Sequence, residues 1–156
     1  MTEKEKMDIA RQLVKLGVDV IEAGFPAATR AYFDLEKLIA QEIGNNIDDE
    51  GYVPMIGAMA RCNKKDIERT WEALKYAKGL VIQTFIATSD MHMKYKLNMN
   101  REEVVERART MVAYPRSLGF EDVRFGIEDA TRPNKALQFS KLKSTDGILS
   151  RSLIIP

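Results

Sequence analysis

The chain has 156 residues, 45% of them hydrophobic and 30% charged, which is the composition of one globular domain with a sizeable core. Its 24 basic and 23 acidic residues leave a formal net charge of +1, so no excess of positive charge points to nucleic acid. The single cysteine, Cys62, excludes an internal disulfide and is typical of a reducing compartment. No apolar run reaches the ~18 residues of a membrane-spanning helix, so we expect no membrane partner.

The first residues have the pattern of a helix start. Thr2 and Glu5 have the spacing of a capping box, which predicts a helix from residue 3 that Gly17 ends. The stretch "MTEKEKMDIARQ" has the features of neither a secretory signal nor a Ser/Arg-rich transit peptide. From the sequence as written we therefore expect a cytoplasmic location.

Helical periodicity and apolar runs alternate from here to about residue 126. The stretches 45–51 and 88–100 are predicted to be loops. The predicted helices cover 3–16, 31–43, 64–78 and 101–118, and the predicted strands cover 18–24, 52–60, 80–87 and 122–126.

Strands that alternate with helices predict parallel pairing in an α/β fold. The repeated βα units favour a (β/α)8 barrel or a doubly wound sheet, and four strands are about half of such a barrel. No G-x-G-x-x-G follows any strand, which counts against a dinucleotide-binding fold.

Polar residues stand where the predicted strands end, and in parallel α/β folds function collects at these ends. Glu22 is either a site residue or part of a satisfied polar layer, and Arg61 either binds an anion or pairs with a surface acid such as Asp66. The stretch Thr88–Ser89–Asp90 is equally typical of a turn, and Glu128–Asp129 of an ordinary loop pair.

The sequence has few histidine or cysteine residues that could bind a metal or act as a nucleophile. His92 is the only histidine, and there is no H-x-H, H-E-x-x-H or C-x-x-C, so the chain alone does not predict a metal site. A loop histidine is more often a surface group than a catalyst. Cys62 follows Arg61, yet no histidine lies near it in sequence, which argues against a cysteine nucleophile.

Several ordered motifs carry a resemblance to a known family. They are "KLGVDVIEAGFPAA" (15–28), "RCNKKDIERTWEALKYAK" (61–78), "TFIATSDMHMKYKL" (84–97) and "FGIEDATR" (125–132). With them the chain resembles plant-type 2-isopropylmalate synthases and methylthioalkylmalate synthases, nearly continuously from residue 4 to residue 132. The resemblance implies a partial TIM barrel, of about four βα units corresponding to strands two to five.

The resemblance also implies a reaction and a set of site residues. Family members need a divalent metal, Mg or Mn, and condense acetyl-CoA with a 2-oxo acid in a Claisen-type step; 2-oxoisovalerate is the acid at the entry to leucine biosynthesis. Glu128 falls on the family's active-site glutamate, which makes it the expected catalytic residue. Arg61, Thr88, Gln83 and Arg132 are the expected substrate-binding residues.

Departures from the family pattern limit this expectation. The first-strand R-D-G-E-Q type motif and the H-x-H that supply the family's metal ligands are absent from this chain, so we expect no bound metal. Gln83 stands where the family usually has histidine. Gly126 stands where isopropylmalate synthases usually have serine. This difference favours the methylthioalkylmalate branch. Pro115 is predicted to kink the fourth helix.

Residues 133–156, "PNKALQFSKLKSTDGILSRSLIIP", do not continue the family pattern and are predicted to form an irregular, poorly ordered tail after a domain of residues 1–132. We therefore expect a synthase fragment, truncated at both ends and inactive alone. Two alternatives stay open: a non-catalytic module that pairs with itself or with a full-length synthase, and a gene-model product without function. The family works in plastids, whereas this chain shows no transit peptide.

Overall fold

The structure, a computed structural model, describes residues 2–49 and 51–129, together with the backbone of residues 153–154. The helices α1 to α5 are Glu3–Lys15, Arg30–Glu42, Lys64–Leu74, Asp90–His92 and Arg101–Leu118, and a π-helical turn covers Met93–Leu97. The strands β1 to β5 are Val20–Gly24, Met55–Arg61, Leu80–Ala87, Asp122–Glu128 and Leu153–Ile154. No helix of the described part is both long and apolar enough to cross a bilayer.

Two predicted helix starts are confirmed by reciprocal capping hydrogen bonds. At α1, the Glu5 backbone N–H donates to Thr2 Oγ1 over 3.3 Å, and the Thr2 N–H donates to a Glu5 carboxylate oxygen over 2.7 Å. Asn100 and Glu103 make the same pair of bonds at the start of α5. This helix continues through the buried Pro115 and ends where Gly119 adopts a φ of 105°, which suits a residue without a Cβ.

Other element boundaries differ from the prediction. Helix α3 ends at Leu74 rather than at residue 78, and the chain then turns so that the Lys78 N–H donates to the Gly44 carbonyl. Strand β2 begins at Met55, directly after Pro54, which has no N–H to give to a ladder. Strand β4 extends to Glu128, so this residue ends the strand instead of following it.

The predicted loop 88–100 is wrong for residues 90–97, which are helical. Ser89 caps the short helix α4, because its hydroxyl accepts from the His92 backbone N–H, and the π-helical turn continues to Leu97. Asn98 ends the turn with a φ of 51°, a left-handed conformation that asparagine tolerates. The segment Ser89–Leu97, hereafter the β3–α5 segment, is therefore ordered helical structure.

All five strands are parallel and pair in the order β1-β2-β3-β4-β5, which confirms the parallel α/β prediction. The helices pack on one face of the sheet. Their shared core joins Ile56, Ile82 and Ile127 of the strands with Ile39 and Leu74 of the helices. The predicted tail and the domain boundary at residue 132 lie outside the described residues, apart from Leu153–Ile154, and stay predictions.

The other face, hereafter the open face, carries no described helix. Because successive side chains of a strand alternate between faces, Gln83 and Arg124 share the open face at paired positions of β3 and β4. Arg61, Phe85 and Gly126 form the next row across β2, β3 and β4, and Glu128 lies one row beyond, opposite Ala87. The open face therefore collects polar side chains toward the carboxyl ends of the strands.

Candidate functional site

A small cavity lies at the carboxyl ends of β2, β3 and β4. Its volume is about 110 Å³, well below the ~300–1,000 Å³ of pockets for drug-sized ligands. Arg61 and Glu128, two of the residues predicted from the sequence, both line it, together with Lys96 and Arg107. Three cationic side chains around one carboxylate suit the carboxylate end of a small acid rather than a whole coenzyme.

Glu128 is held by an ion pair that spans two elements. Lys96 Nζ lies 2.6 Å and 2.8 Å from the two carboxylate oxygens of Glu128. The side chains are 47% and 33% exposed, respectively, so the pair is partly desolvated. The lysine comes from the π-helical turn and fixes a carboxylate at the end of β4.

Arg61 is bound by the acid that the sequence offered as its alternative partner. Arg61 Nε lies 2.5 Å from Asp66 Oδ2, and Nη2 lies 3.2 Å from Oδ1, which is a two-pronged contact. Asp66 is buried rather than on the surface, and its hydrogen bond raises the pKa of Arg61 further. The Arg61 side chain nevertheless stays 56% exposed and lies over the Phe25 ring, so it remains accessible from the cavity side.

The other predicted substrate-binding residues take different positions. Gln83 lies on the open face, and its Nε2 is 3.7 Å from where a Cβ on Gly126 would lie. Thr88 is buried; its hydroxyl makes no hydrogen bond within the described part of the chain, and its backbone N–H donates to the Glu128 carbonyl over 3.3 Å. Arg132 lies outside the described residues.

His92 joins the β3–α5 segment to the turn after β4. Its Nδ1 lies 2.8 Å from Ser89 Oγ and 3.2 Å from Asp129 Oδ2. A hydrolytic triad requires serine and carboxylate on different ring nitrogens, whereas here both contact Nδ1. The cluster is therefore not a Ser-His-Asp nucleophile system.

Neither Glu22 nor Cys62 is a reactive group of the cavity, although Cys62 is one of its lining residues. Glu22 is exposed on β1, away from the cavity lining. Cys62 is buried, and burial raises the pKa of its thiol to about 12, against the opposing effects of Thr84 and Arg107. A thiol of this kind is a poor nucleophile, in line with the sequence-based argument.

A divalent metal does not fit the described residues. No three His, Cys, Asp or Glu side chains converge as a ligand set within residues 2–49 and 51–129. The two acidic groups at the end of β4 already have partners, because Lys96 pairs with Glu128 and His92 contacts Asp129. No metal-dependent step is therefore assigned to these side chains.

Lys96 and Arg107 are charged residues of the cavity that the sequence did not predict. Because residues 88–100 were predicted to be a loop, no face was assigned to "SDMHMKYKL". A usable signal was present: Ser89 has the character of an N-cap, and His92 and Lys96 follow it at helical spacing, i+3 and i+7. That spacing places both side chains on one side of a helical segment.

Comparison with known proteins identifies the family. A family model described as HMGL-like matches residues 1–144. The chain is 63% identical over 132 residues to 2-isopropylmalate synthase B of Solanum pennellii, covering 85% of this chain and 22% of the relative. It is 56% identical over 156 residues to the chloroplastic 2-isopropylmalate synthase 2 of Arabidopsis thaliana, covering 100% and 25%. It is 52% identical over 136 residues to the chloroplastic methylthioalkylmalate synthase 3 of the same plant, covering 86% and 27%. The chain thus spans about a quarter of the length of these relatives.

Proposed function

Because the chain belongs to the HMGL-like family of TIM-barrel proteins, and its parallel sheet is part of such a barrel, we propose that it forms part of an acyltransferase of the 2-isopropylmalate synthase type. The reaction is a Claisen condensation of acetyl-CoA with a 2-oxo acid such as 2-oxoisovalerate, at the entry to leucine biosynthesis. This chain supplies the wall that contacts the 2-oxo acid.

The observation that carries the proposal is the shared cavity of Arg61 and Glu128. These side chains come from β2 and β4, which are separated by β3, and both extend from the carboxyl ends of parallel strands. This is the end of the barrel at which TIM-barrel enzymes hold their substrates. The cavity size suits a small acid, and the surrounding cations favour its carboxylate.

Each residue then has a defined task. The Arg61 guanidinium, oriented by Asp66, binds the substrate carboxylate, and the Gln83 amide supplies a neutral hydrogen-bonding group on the same face. Glu128 lies where a base could accept the proton that leaves the acetyl-CoA methyl group as the enolate forms, and Lys96 keeps its carboxylate oriented. The metal that polarises the keto group in this reaction class has no ligand set among these described residues.

Calorimetric titration of the purified chain and two variants tests the proposal. Calorimetric titration with 2-oxoisovalerate is expected to show saturable binding that Arg61→Gln weakens at least about tenfold. Arg30→Gln is the matched control, since Arg30 is 89% exposed and lies on α2, and it is expected to leave affinity unchanged. A chain that binds no 2-oxo acid would contradict the proposal.

The inactivity of this chain by itself is a separate part of the proposal. It is supported by the single histidine and the absence of H-x-H from all 156 residues. A thiol-release assay with acetyl-CoA, 2-oxoisovalerate and Mg²⁺ or Mn²⁺ is expected to stay at the level of the blank. Thiol release above the blank would contradict the proposed inactivity, but not the proposed binding site for the 2-oxo acid.

A second candidate function is a non-catalytic module that joins a full-length synthase. The observation in its favour is that β1 pairs with β2 alone among the described strands, and that the open face carries no described helix. An unpaired strand edge is a template for another chain. Co-elution with a full-length synthase in size-exclusion chromatography tests this function, and separate elution would exclude it.

The preferred acid and the compartment are also proposals. The relatives include both isopropylmalate and methylthioalkylmalate synthases, so parallel titrations with 2-oxoisovalerate and a methylthioalkyl 2-oxo acid identify the branch. Several relatives are named as chloroplastic, which supports a plastid location for this chain. Localisation of the tagged native protein tests that location.

A further inference from the structure

The β3–α5 segment holds two consecutive acidic residues at once. Lys96 binds both carboxylate oxygens of Glu128, and His92 contacts the carboxylate of Asp129. The two acids end β4 and begin the turn after it. The segment follows β3, so these contacts connect neighbouring strand ends of the sheet.

The left-handed backbone and the burial of Asp129 explain why its side chain needs a hydrogen-bond donor. Its φ of 60° lies in the left-handed region, which non-glycine residues adopt uncommonly. The side chain is 13% exposed, so its charge is largely removed from solvent and benefits from a nearby donor. Asp129 directly follows Glu128, so the conformation of this turn constrains the backbone at the end of β4 that carries Glu128.

The Asp129 contact selects one tautomer of His92. A carboxylate only accepts hydrogen bonds, so Nδ1, 3.2 Å from Asp129 Oδ2, is bonded to it only when the ring carries its proton on Nδ1. The single Nδ1–H is then shared with Ser89 Oγ, which lies 2.8 Å away. In this form the neutral imidazole has its lone pair on Nε2.

We propose that His92 is a positioning residue for Glu128: its Nδ1–H holds Asp129 in the turn, and with Lys96 this contact fixes the Glu128 carboxylate at the cavity. The inference rests on the proposed role of Glu128 in 2-oxo acid binding. His92 itself does not contact the substrate in this account, so its effect passes through Asp129 and the backbone of β4.

The first test reads the tautomer directly. His92 is the only histidine, so its imidazole signals in a ¹⁵N correlation spectrum need no assignment. We expect a protonated Nδ1 and an unprotonated Nε2 for the neutral ring. Asp129→Asn is expected to shift the signals, whereas the control Asp90→Asn is not, since Asp90 is 71% exposed and pairs with Arg101. An Nε2–H form, or equal effects of the two variants, would overturn the proposal.

The second test follows Glu128 by its carboxyl ¹³C chemical shift. His92→Ala is expected to move this signal, and His92→Asn to restore it, because the asparagine amide places a donor near the Nδ1 position while the glutamine amide of His92→Gln does not. The same series is expected to raise the Kd for 2-oxoisovalerate about tenfold in His92→Ala and far less in His92→Asn. An unchanged Glu128 signal in His92→Ala would overturn the proposal. If the unaltered chain binds no acid, the proposed function fails, and the two spectroscopic readouts still decide the role of His92.

Discussion

Lys96 Nζ lies between the two carboxylate oxygens of Glu128, 2.6 Å from one and 2.8 Å from the other. The pair brings a cation from the turn before α5 to the end of β4, where an anionic 2-oxo acid is proposed to bind. An unpaired Glu128 would repel that acid, because like charges at close range cost energy in a partly desolvated site. Lys96 therefore makes the cavity compatible with an anion.

Replacing Lys96 is expected to weaken acid binding. In Lys96→Met the aliphatic stem is retained and the charge is lost, so Glu128 stands unneutralised in the cavity. We expect the Kd for 2-oxoisovalerate to rise about threefold to tenfold, or roughly 0.7–1.4 kcal/mol, in a calorimetric titration. Lys94→Met is the matched control, since Lys94 is exposed, belongs to the same π-helical turn and lies over Tyr95. Equal effects of the two substitutions would contradict the specific role of Lys96.

Glu36 is expected to make stability depend on pH. It is 0% exposed, and burial raises its pKa from 4.5 to about 8. Lys6 and a backbone hydrogen bond from Phe25 oppose this shift, and Glu22 adds to it. Below about pH 4.5 the carboxyl is neutral in both folded and unfolded chains. As the pH rises from 4.5 toward 8, the unfolded chain ionises and the folded chain does not, so stability falls by at most about 1.4 kcal/mol per pH unit.

Comparing Glu36→Gln with the unaltered chain isolates the contribution of Glu36 to the pH dependence of stability. Urea unfolding at pH 5 and pH 8 is expected to show a smaller loss of stability for Glu36→Gln. Glu121→Gln, at an exposed position, is expected to behave like the unaltered chain. An identical pH dependence in all three proteins would show that Glu36 is not a buried neutral acid.

Cys62 is expected to be unreactive in the folded protein. Burial raises the pKa of its thiol to about 12, so at pH 8 only about one molecule in ten thousand carries the thiolate that reacts with electrophiles. Iodoacetamide is expected to label the chain in 6 M guanidinium chloride and to leave it unlabelled in buffer over the same time. Rapid labelling of the folded chain would show that Cys62 is accessible.

Gly126 is expected to tolerate the serine that isopropylmalate synthases usually carry. A Cβ at this position would lie 3.5 Å from Phe85 Cβ and 3.7 Å from Gln83 Nε2, which are ordinary van der Waals contacts. Gly126→Ser is expected to change the free energy of unfolding by less than about 0.5 kcal/mol. Gly44→Ser is the contrast, because a Cβ there would collide with Ala77 and approach Ile56 Cγ1 to 2.8 Å, with a cost of about 1–3 kcal/mol. Equal stability of the two variants would contradict this account of the packing.

The sequence predicted the fold well because its local signals agree with the tertiary structure. The Thr2–Glu5 capping box and the apolar run of 80–87 each specify one element, and each is confirmed. Where the prediction was wrong, tertiary contacts decided the outcome. Helix α3 ends at Leu74, and the Lys78 N–H beyond it donates to the carbonyl of Gly44, a partner distant in sequence.

The candidate site was predicted only in part, for a similar reason. The positions of the strand ends made Arg61 and Glu128 candidates beside Glu22 and Thr88, and the family resemblance gave Glu128 its expected role. Lys96 lies in a polar segment that was predicted to be a loop, so its contact with Glu128 was not predicted. Asp66 pairs with Arg61 from a buried position because of the way α3 packs against the sheet. The local sequence pattern does not specify that packing.

The measurement that tests the central claim most directly is a titration of the chain with 2-oxoisovalerate, followed by the NMR signals of the Glu128 carboxyl and the Arg61 guanidinium. The account predicts that both signals shift along one saturation curve, whereas the exposed Glu121 carboxyl stays constant. If the acid leaves both signals unchanged, or if they follow different curves, Arg61 and Glu128 do not form one acid-binding site.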